Sequence, residues 1–299
     1  MGEASLVKID DVAGFSKPAT VLIKKISDAI GTLYEPRKIR NLAKARSTAR
    51  LIEAETNIKV DELQRRAIRR FLSEEAKKQE NIESITEKAL PQLGEGASPE
   101  NIEDDWITNF FERCRILSDS EMQQLWSRLL AGEANQPGTF SRRTVNLLSD
   151  LDKLDAELFK NLCSFAWMMG EPVPLIFKLP TDYRYEALGI SFESLSHLES
   201  LGLIHFDNVT GYLRVDLPQR FHISYFGRTV ELTIPEGRPN QLQFGAVMLT
   251  QAGRELARIS NATPTEGFFE YVCTRWASQS IEVRPVGDTH PGTPGEGPS

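Results

Sequence analysis

The sequence predicts a mainly helical α+β protein with a long N-terminal helical arm, a central helical block and a C-terminal winged-helix-like α/β domain. Residues 37–90 contain neither glycine nor proline, and residues 101–169 repeat apolar side chains at helical spacing. Beyond Gly170 the apolar runs become short and strand-like. The predicted segments are an N-terminal helix and arm (1–90), a helical block (100–169), the winged-helix-like domain (170–286) and a disordered tail (287–299).

The bulk composition is that of an ordinary globular protein. A length of 299 residues fits about two domains, and a charged fraction of 26% is typical of a soluble chain. No apolar run approaches the roughly 18 residues of a membrane span, and the N-terminus lacks a signal pattern. Cys114, Cys163 and Cys273 are odd in number and widely spaced, which predicts a reducing compartment without disulfides. We therefore expect a cytoplasmic protein.

The segment 16–34 predicts a short amphipathic helix. Ser16 is a candidate N-cap, and Pro18 is compatible with the first turn. Apolar side chains recur at helical spacing from Ala19 to Leu33, and the polar side is mildly basic. A core helix is the plainer interpretation, and a helix lying on a membrane surface is the alternative.

The arm, residues 37–90, predicts one long helix or two helices that meet near Asn57. At about 1.5 Å per residue it would reach roughly 80 Å, too far to bury its own apolar stripe. That stripe steps at threes, fours and sevens with imperfect heptads. We expect it to pack on the N-terminal helix, on the body of the protein or on a second chain, and we favour a homo-oligomeric contact. The Pro- and Gly-containing break at 91–99 ends this segment.

The arm is basic, whereas the rest of the chain is acidic. Residues 37–70 hold 11 basic and four acidic residues, a net charge of +7, so the remainder carries −14 within a chain of net −7. Such an arm can bind nucleic acid, an anionic surface or an acidic partner, including another copy of the chain. The candidate contact residues are Arg37, Lys38, Arg40, Lys44, Arg46, Arg50, Arg65, Arg66, Arg69 and Arg70.

The block predicts packed helices over 101–117, 118–132, 137–148 and 149–169. Ser118 and Glu121 have capping-box spacing, and Gly132 stands where a helix often stops. Gln123 should border the buried face of this helix, and Gln124 should point away from it. The candidate core residues are Trp106, Phe110, Leu125, Trp126 and Leu129.

The C-terminal domain predicts short strands around short helices. The runs 221–227 and 229–235 flank Gly227 and predict a hairpin. A helix at 191–202 precedes the strands, and a helix at 251–259 follows them, an order typical of a winged helix with an enlarged wing. Further strands are predicted at 171–180, 203–207, 212–216, 243–250 and 281–286, and a last helix at 267–279.

The sequence contains no recognised phosphate-binding loop, dinucleotide fingerprint, nucleophile elbow or zinc-protease motif. The four histidines lack metal-ligand spacing, although His197, His205 and His222 can approach one another in space. The acids at 103–105 fit the first turn of a helix better than a metal site. The helix that would read DNA in a winged helix, 191–202, carries two glutamates and no lysine or arginine. We therefore predict no enzymatic activity, no metal site and no cofactor.

Several runs of the chain resemble a known family. They are LYEPRKIRNLAKAR (33–46), EEAKKQENIESITEKA (74–89), the long block 102–148, which contains DSEMQQLWSRLLAGE (119–133), and VMLTQAGRELARI (247–259). They resemble the bacterial domain-of-unknown-function family 2806 and, more loosely, the abortive-infection alpha proteins. The resemblance implies a bacterial cytoplasmic accessory protein from a phage-defence or mobile-element neighbourhood. It supplies no catalytic residues.

Together these observations predict a non-enzymatic, oligomerising interaction protein of a bacterial anti-phage system. Its expected partners are further copies of itself and another protein. Two alternatives stay open: a nucleic-acid-binding regulator that acts through the arm, and an effector attached to a membrane surface through 16–34 without spanning it.

Overall fold

The computed structural model describes residues 16–31, 62–177 and 183–286. These residues are mainly helical with small antiparallel sheets, which confirms the predicted α+β class. The chain divides into two compact units, Met1–Ser149 and Asp150–Ser299. The predicted tail at 287–299 lies outside the described residues, and the winged-helix detail stays a prediction.

The described residues of the first unit are mainly helical. Its helices are α1 (Lys17–Ile30), α2 (Glu62–Ala89), α3 (Asp104–Cys114), α4 (Ser120–Asn135) and α5 (Arg142–Asp150), with 3₁₀ turns at Leu90–Gln92 and Pro99–Asn101. The Ser16 side chain caps α1 by accepting a hydrogen bond from the backbone N–H of Ala19. Leu22 and Ile26, one turn apart, are fully buried. They lie on the side of α1 that packs against α3 and the second 3₁₀ turn.

Helix α4 differs from its sequence prediction at both ends. Its N-cap is Asp119, not Ser118, because the Asp119 carboxylate accepts hydrogen bonds from the backbone N–H groups of Glu121 and Met122. Gly132 does not stop the helix, which continues to Asn135. A Cβ atom at Gly132 would lie 2.6 Å from the ring of Phe140, so this glycine allows close packing.

The second unit combines helices with short strands. Its helices are α6 (Lys153–Cys163), α7 (Tyr183–Glu186), α8 (Phe192–Ser200), α9 (Gln251–Ala257) and α10 (Phe268–Ser278). Its strands are β1 (Ala166–Met168), β2 (Pro172–Pro174), β3 (Ile204–Phe206), β4 (Tyr212–Arg214), β5 (Arg220–Tyr225), β6 (Arg228–Thr233), β7 (Leu242–Gly245), β8 (Val247–Leu249) and β9 (Glu282–Pro285). The largest sheet has the order β2-β1-β5-β6-β9, and β3-β8 and β4-β7 form separate pairs.

The predicted helix at 149–169 is wrong in its last third. Helix α6 ends at Cys163, and the chain then forms β1, which pairs with β2. The residues alternate in exposure, since Trp167 is fully buried and Met168 is 45% exposed, as on a strand. Gly170, at φ 82°, makes the turn between the two strands.

Aromatic packing on the large sheet forms the core of this unit. The Trp167 ring stacks on Tyr225 and Phe269 at centroid distances of 5.2 and 5.3 Å and meets the Trp276 ring edge-on at 5.0 Å. The Tyr225 hydroxyl donates to the Ser164 carbonyl and accepts from the Thr265 N–H, so it has partners although it is buried.

The predicted hairpin is present as β5 and β6. Phe226 and Gly227 connect the strands, both at positive φ, as a two-residue turn of type I′ requires. The predicted single strand at 243–250 is instead divided into β7 and β8 at Gly245. A Cβ atom at Gly245 would lie 2.0 Å from the Ile176 carbonyl oxygen, so the two backbones cross here.

Candidate interaction surface

The C-terminal end of α2 packs along α4. Ile82, Ile85 and Ala89 follow one another at intervals of three and four residues and are buried. Among the described residues of the predicted arm, this is the part that the first unit itself covers.

Polar bonds around Gln123 fix the alignment of the two helices. The Gln123 side-chain oxygen accepts from the Ser84 hydroxyl at 2.8 Å and from the Lys88 ammonium at 2.7 Å. Its amide nitrogen donates to the Leu117 carbonyl at 2.8 Å and to the Asn81 side chain at 3.3 Å. Gln123 is only 5% exposed, as expected for a residue bordering the buried face, whereas Gln124 is exposed. The bonds account for a buried amide that the apolar stripe does not explain.

Residue numbers increase in the same direction along α2 and α4 at their points of contact. Gln123 meets Ser84 and Lys88, and one turn later Ser127 accepts a hydrogen bond from Gln92 at 3.1 Å. The helices therefore run in the same direction. Asn81 donates to the Arg115 carbonyl, in the loop that precedes α4. Residues of α2 before Asn81 consequently extend past the start of α4.

We call residues 62–80 of α2 the overhang. None of these 19 residues is buried, over a helical length of about 28 Å. Leu63, Ile68 and Phe71 are 64%, 46% and 60% exposed. Ile68 and Phe71 lie two heptads before Ile82 and Ile85, so they continue the same helix face.

One ion pair interrupts the apolar residues of this face. Glu75 and Lys78 occupy the intermediate heptad positions and form an ion pair at 2.6 Å. Both side chains are partly exposed. The face therefore consists of a covered apolar patch around Ile82 and Ile85 and an uncovered one around Ile68 and Phe71.

The arginines of the overhang border or oppose its apolar face. Arg65, Arg66, Arg69 and Arg70 are all exposed, and Arg70 pairs with Glu74 at 3.5 Å. Arg65 and Arg70 lie beside the apolar face, three residues from Ile68 and Ala67, while the other two lie behind it. The remaining candidate contacts, Arg37, Lys38, Arg40, Lys44, Arg46 and Arg50, lie outside the described residues.

The other candidate residues, those of the block, form the core behind α4. Trp106, Phe110, Trp126 and Leu129 are buried, and Leu125 is half-buried. The Phe110 ring lies 5.2 Å from both tryptophan rings, and the Trp106 indole N–H donates to the Phe140 carbonyl.

Glu133, the last residue of the segment 119–133, accepts hydrogen bonds from the loop that follows α4. It is only 3% exposed, and its two carboxylate oxygens accept from the Gly138 and Phe140 N–H groups at 2.6 and 2.8 Å. The segment 119–133 thus has a packing role for its tryptophan, its buried glutamine, its glycine and its last glutamate.

The acids and histidines singled out by sequence occupy separate places. Asp104 lies in the first turn of α3 and pairs with Lys25 of α1 at 2.6 Å. His197 contacts Asp155 at 2.6 Å, whereas His222 lies on β5, 3.6 Å from Glu231. Within residues 16–31, 62–177 and 183–286 there is no group of three or more potential ligands that would hold a metal ion.

The membrane-surface hypothesis required the apolar face of α1 to be free. That face is buried in the first unit, with Leu22 and Ile26 fully inaccessible, and a buried face cannot enter a lipid interface. Among the described helices, none combines the length and apolarity of a membrane span.

Sequence reasoning missed two features of this surface. It did not single out Ile68, and it did not predict where α4 stops covering α2. The seven-residue spacing of Ile68, Glu75, Ile82 and Ala89 carries the signal for the first feature. Only the position of Asn81 beside Arg115 reveals the second.

A family model described as a protein of unknown function (DUF2806) matches residues 65–273, well over half of the chain. The chain belongs to this family. The match begins inside the overhang and includes all of α3, α4 and α5. No curated protein and no solved structure matches the chain.

Proposed function

We propose that this DUF2806 protein is a non-enzymatic interaction protein that assembles with copies of itself through the overhang of α2. The observation that carries the proposal is that one face of α2 is buried in its C-terminal part and exposed in its N-terminal part. Ile82 and Ile85 are covered by α4, whereas Ile68 and Phe71, two heptads earlier, remain exposed.

Helix energetics support an external partner. A helical stretch of 19 residues that buries none of its side chains is marginal in water, because most helix stability in proteins comes from packing an apolar face. Leu63, Ile68 and Phe71 together expose a large apolar area beside arginines, and such patches mark interaction sites. Covering them on a second chain would stabilise both the helix and the assembly.

The test is the mass of the full-length protein in solution at low micromolar concentration. Replacing Leu63, Ile68 and Phe71 together by alanine keeps helix propensity and removes the apolar patch. We expect wild type to be oligomeric and the triple variant to be a monomer. Leu154→Ala is the control, since Leu154 is 73% exposed in the other unit and should leave the mass unchanged.

Point substitutions are preferable to a truncation at residue 90. That truncation would also remove α1, with its buried Leu22 and Ile26, and the packed Ile82 and Ile85. Loss of assembly would then be confounded by loss of the core. A monomeric wild type, or a triple variant with the wild-type mass, would refute the proposal.

A role in abortive-infection-type phage defence is the wider part of the proposal, and it is supported by the resemblance of 119–133 to the abortive-infection alpha proteins. The expected outcome is that the intact native locus lowers phage plating and that the triple alanine variant abolishes this protection at equal protein level. Equal plating with and without the locus, over a broad phage panel, would refute this part.

The second candidate function is nucleic-acid binding by the arm. It is favoured by Arg65, Arg66, Arg69 and Arg70, which are all exposed on one short stretch of helix. Fluorescence anisotropy with labelled DNA and RNA should then show affinity that falls steeply with salt and is lost when Arg66 and Arg69 become glutamate. No binding at 50 mM salt would remove this candidate.

A further inference from the structure

The second unit presents a surface whose chemistry complements the overhang. We call it the acidic–aromatic patch and define it by Phe192, Glu199, Phe206, Asp207 and Tyr212. The Phe192 ring, 54% exposed, meets the Phe206 ring edge-on at 5.3 Å. Beyond them, Val209 at the tip of the next turn is 93% exposed.

Two carboxylates are fixed beside these rings. Glu199, on α8, accepts a hydrogen bond from the Phe206 N–H at 2.8 Å. Asp207 accepts from the Thr210 hydroxyl and from the N–H groups of Val209 and Thr210, and these bonds lower the pKa of Asp207 to about 2. Its charge is therefore present throughout the physiological range.

Both carboxylates act on the same tyrosine. Partial burial is the first cause that raises the pKa of Tyr212, and the negative charges of Asp207 and Glu199 raise it further. The patch therefore joins the exposed Phe192 ring and the half-buried Phe206 ring to two carboxylates. A partner that fits it has apolar side chains flanked by guanidinium groups, which pair with carboxylates and stack on aromatic rings.

The overhang has this composition. Leu63, Ile68 and Phe71 supply the apolar side chains, and Arg65 and Arg70 lie along the edges of their face. We infer that the overhang of one copy docks on the acidic–aromatic patch of a second copy, so that the chains associate head to tail. This inference rests on the proposed function and names the surface that the overhang contacts.

Charge disfavours the simpler pairing of two overhangs. Residues 62–72 contain four arginines and one glutamate, a net charge of +3, so joining two such segments would bring like charges together. The patch offers carboxylates instead. A head-to-tail contact leaves one free surface at each end, and it forms rings or open chains according to whether the rotation closes.

The experiment uses charge exchange in the full-length protein. One variant reverses the overhang (Arg65→Glu with Arg70→Glu). Another reverses the patch (Glu199→Lys with Asp207→Asn, in which asparagine retains an oxygen able to accept the turn hydrogen bonds). We expect each variant to associate at least tenfold more weakly than wild type by sedimentation, and the chain with all four changes to recover association.

Matched controls separate this contact from general charge effects. Arg113→Glu with Arg143→Glu changes the net charge as much as the overhang variant, at exposed sites of the first unit, and should leave association unchanged. Mixing the two reversed variants should restore a complex. The acidic overhang of the first variant then faces the lysine-bearing patch of the second, and the basic overhang of the second faces the acidic patch of the first. Circular dichroism should show that all variants are folded.

The outcomes distinguish the two proposals. If the patch variant keeps the wild-type mass while alanine at Leu63, Ile68 and Phe71 produces monomers, self-association stands and the head-to-tail contact is wrong. Failure of the four-change chain to recover association also overturns the contact. A monomeric wild type overturns both.

Discussion

The two ends of helix α2 carry the same heptad spacing but lie in different environments. At the C-terminal end, Ile82 and Ile85 are buried against α4, and Gln123 bonds across the interface. At the N-terminal end, Ile68 and Phe71 occupy equivalent positions and are exposed. The comparison teaches that apolar spacing defines a helix face, whereas what covers that face depends on where the neighbouring helix starts.

An ion pair lies on this face between the buried and the exposed end, and it marks the place where the face changes from covered to uncovered. Glu75 and Lys78 pair at 2.6 Å while remaining partly in water. Burying such a pair would cost desolvation that its mutual attraction rarely exceeds, so the packed interface ends before it. The exposed patch beyond is separated from the core and available to another chain.

The largest expected difference is between a covered and an uncovered aromatic ring. Trp126→Ala should lower the free energy of unfolding by about 3–5 kcal/mol, because it empties a fully buried site beside Phe110. Phe71→Ala should change it by less than about 0.5 kcal/mol in the dilute monomer, since that ring is 60% exposed. Urea unfolding measures both. Comparable losses would contradict the distinction between a buried ring and an exposed one.

Next in size is the polar interface at the covered end. Gln123→Ala should cost about 1–3 kcal/mol, because the Asn81 side-chain oxygen, the Ser84 hydroxyl and the Leu117 carbonyl lose their hydrogen bonds to Gln123. Gln124→Ala, at the exposed neighbour, should stay within about 0.5 kcal/mol. The same denaturation series compares them. If the two glutamines are equivalent, the α2–α4 alignment is not maintained by these bonds.

A smaller effect is expected at Gly132, within α4. Gly132→Ala should destabilise by about 1–2 kcal/mol, since the new methyl group would press on the buried Phe140 ring, despite better helix propensity. Gly96→Ala is the control, because a Cβ there meets no atom within 4 Å. A stabilised Gly132→Ala protein would contradict the close packing of this glycine against the Phe140 ring.

The smallest expected effect is the rate at which the three cysteines react with a thiol reagent in the native protein. Burial raises the pKa of Cys114 well above its usual value, that of Cys163 to about 12 and that of Cys273 to about 11. The thiolate is the reactive form, so a disulfide reagent at pH 8 should label the native protein very slowly. Cys114 lies in the first unit, as Trp126 does, and Cys163 lies in the second. Trp126→Ala should therefore increase the labelling rate of Cys114 more than that of Cys163. Equal acceleration would show that the two units open together.

Sequence reasoning predicted helix faces more reliably than helix ends. The buried positions of α1 and the place of Gln123 at the border of the buried face of α4 follow from spacing, because side chains three and four apart share a face. The cap at Asp119, the continuation past Gly132 and the strand at Ala166–Met168 did not follow. The cap lies one residue from the predicted one, and the other two depend on contacts with Phe140 and with β2 that form only in the folded chain.

The sequence by itself determined the class, the basic arm and the apolar heptads of α2, since composition and periodicity are local properties, and specific runs of residues carried the resemblance to the family. The tertiary structure alone decided that α1 is covered, that Gln123 joins two helices, and that α2 extends beyond α4 with Ile68 and Phe71 exposed. It also brought Phe192, Glu199 and Asp207 to one surface. The physical reason is that burial depends on which elements meet in space, and only the folded chain places residues 81 and 115, or 192 and 206, side by side.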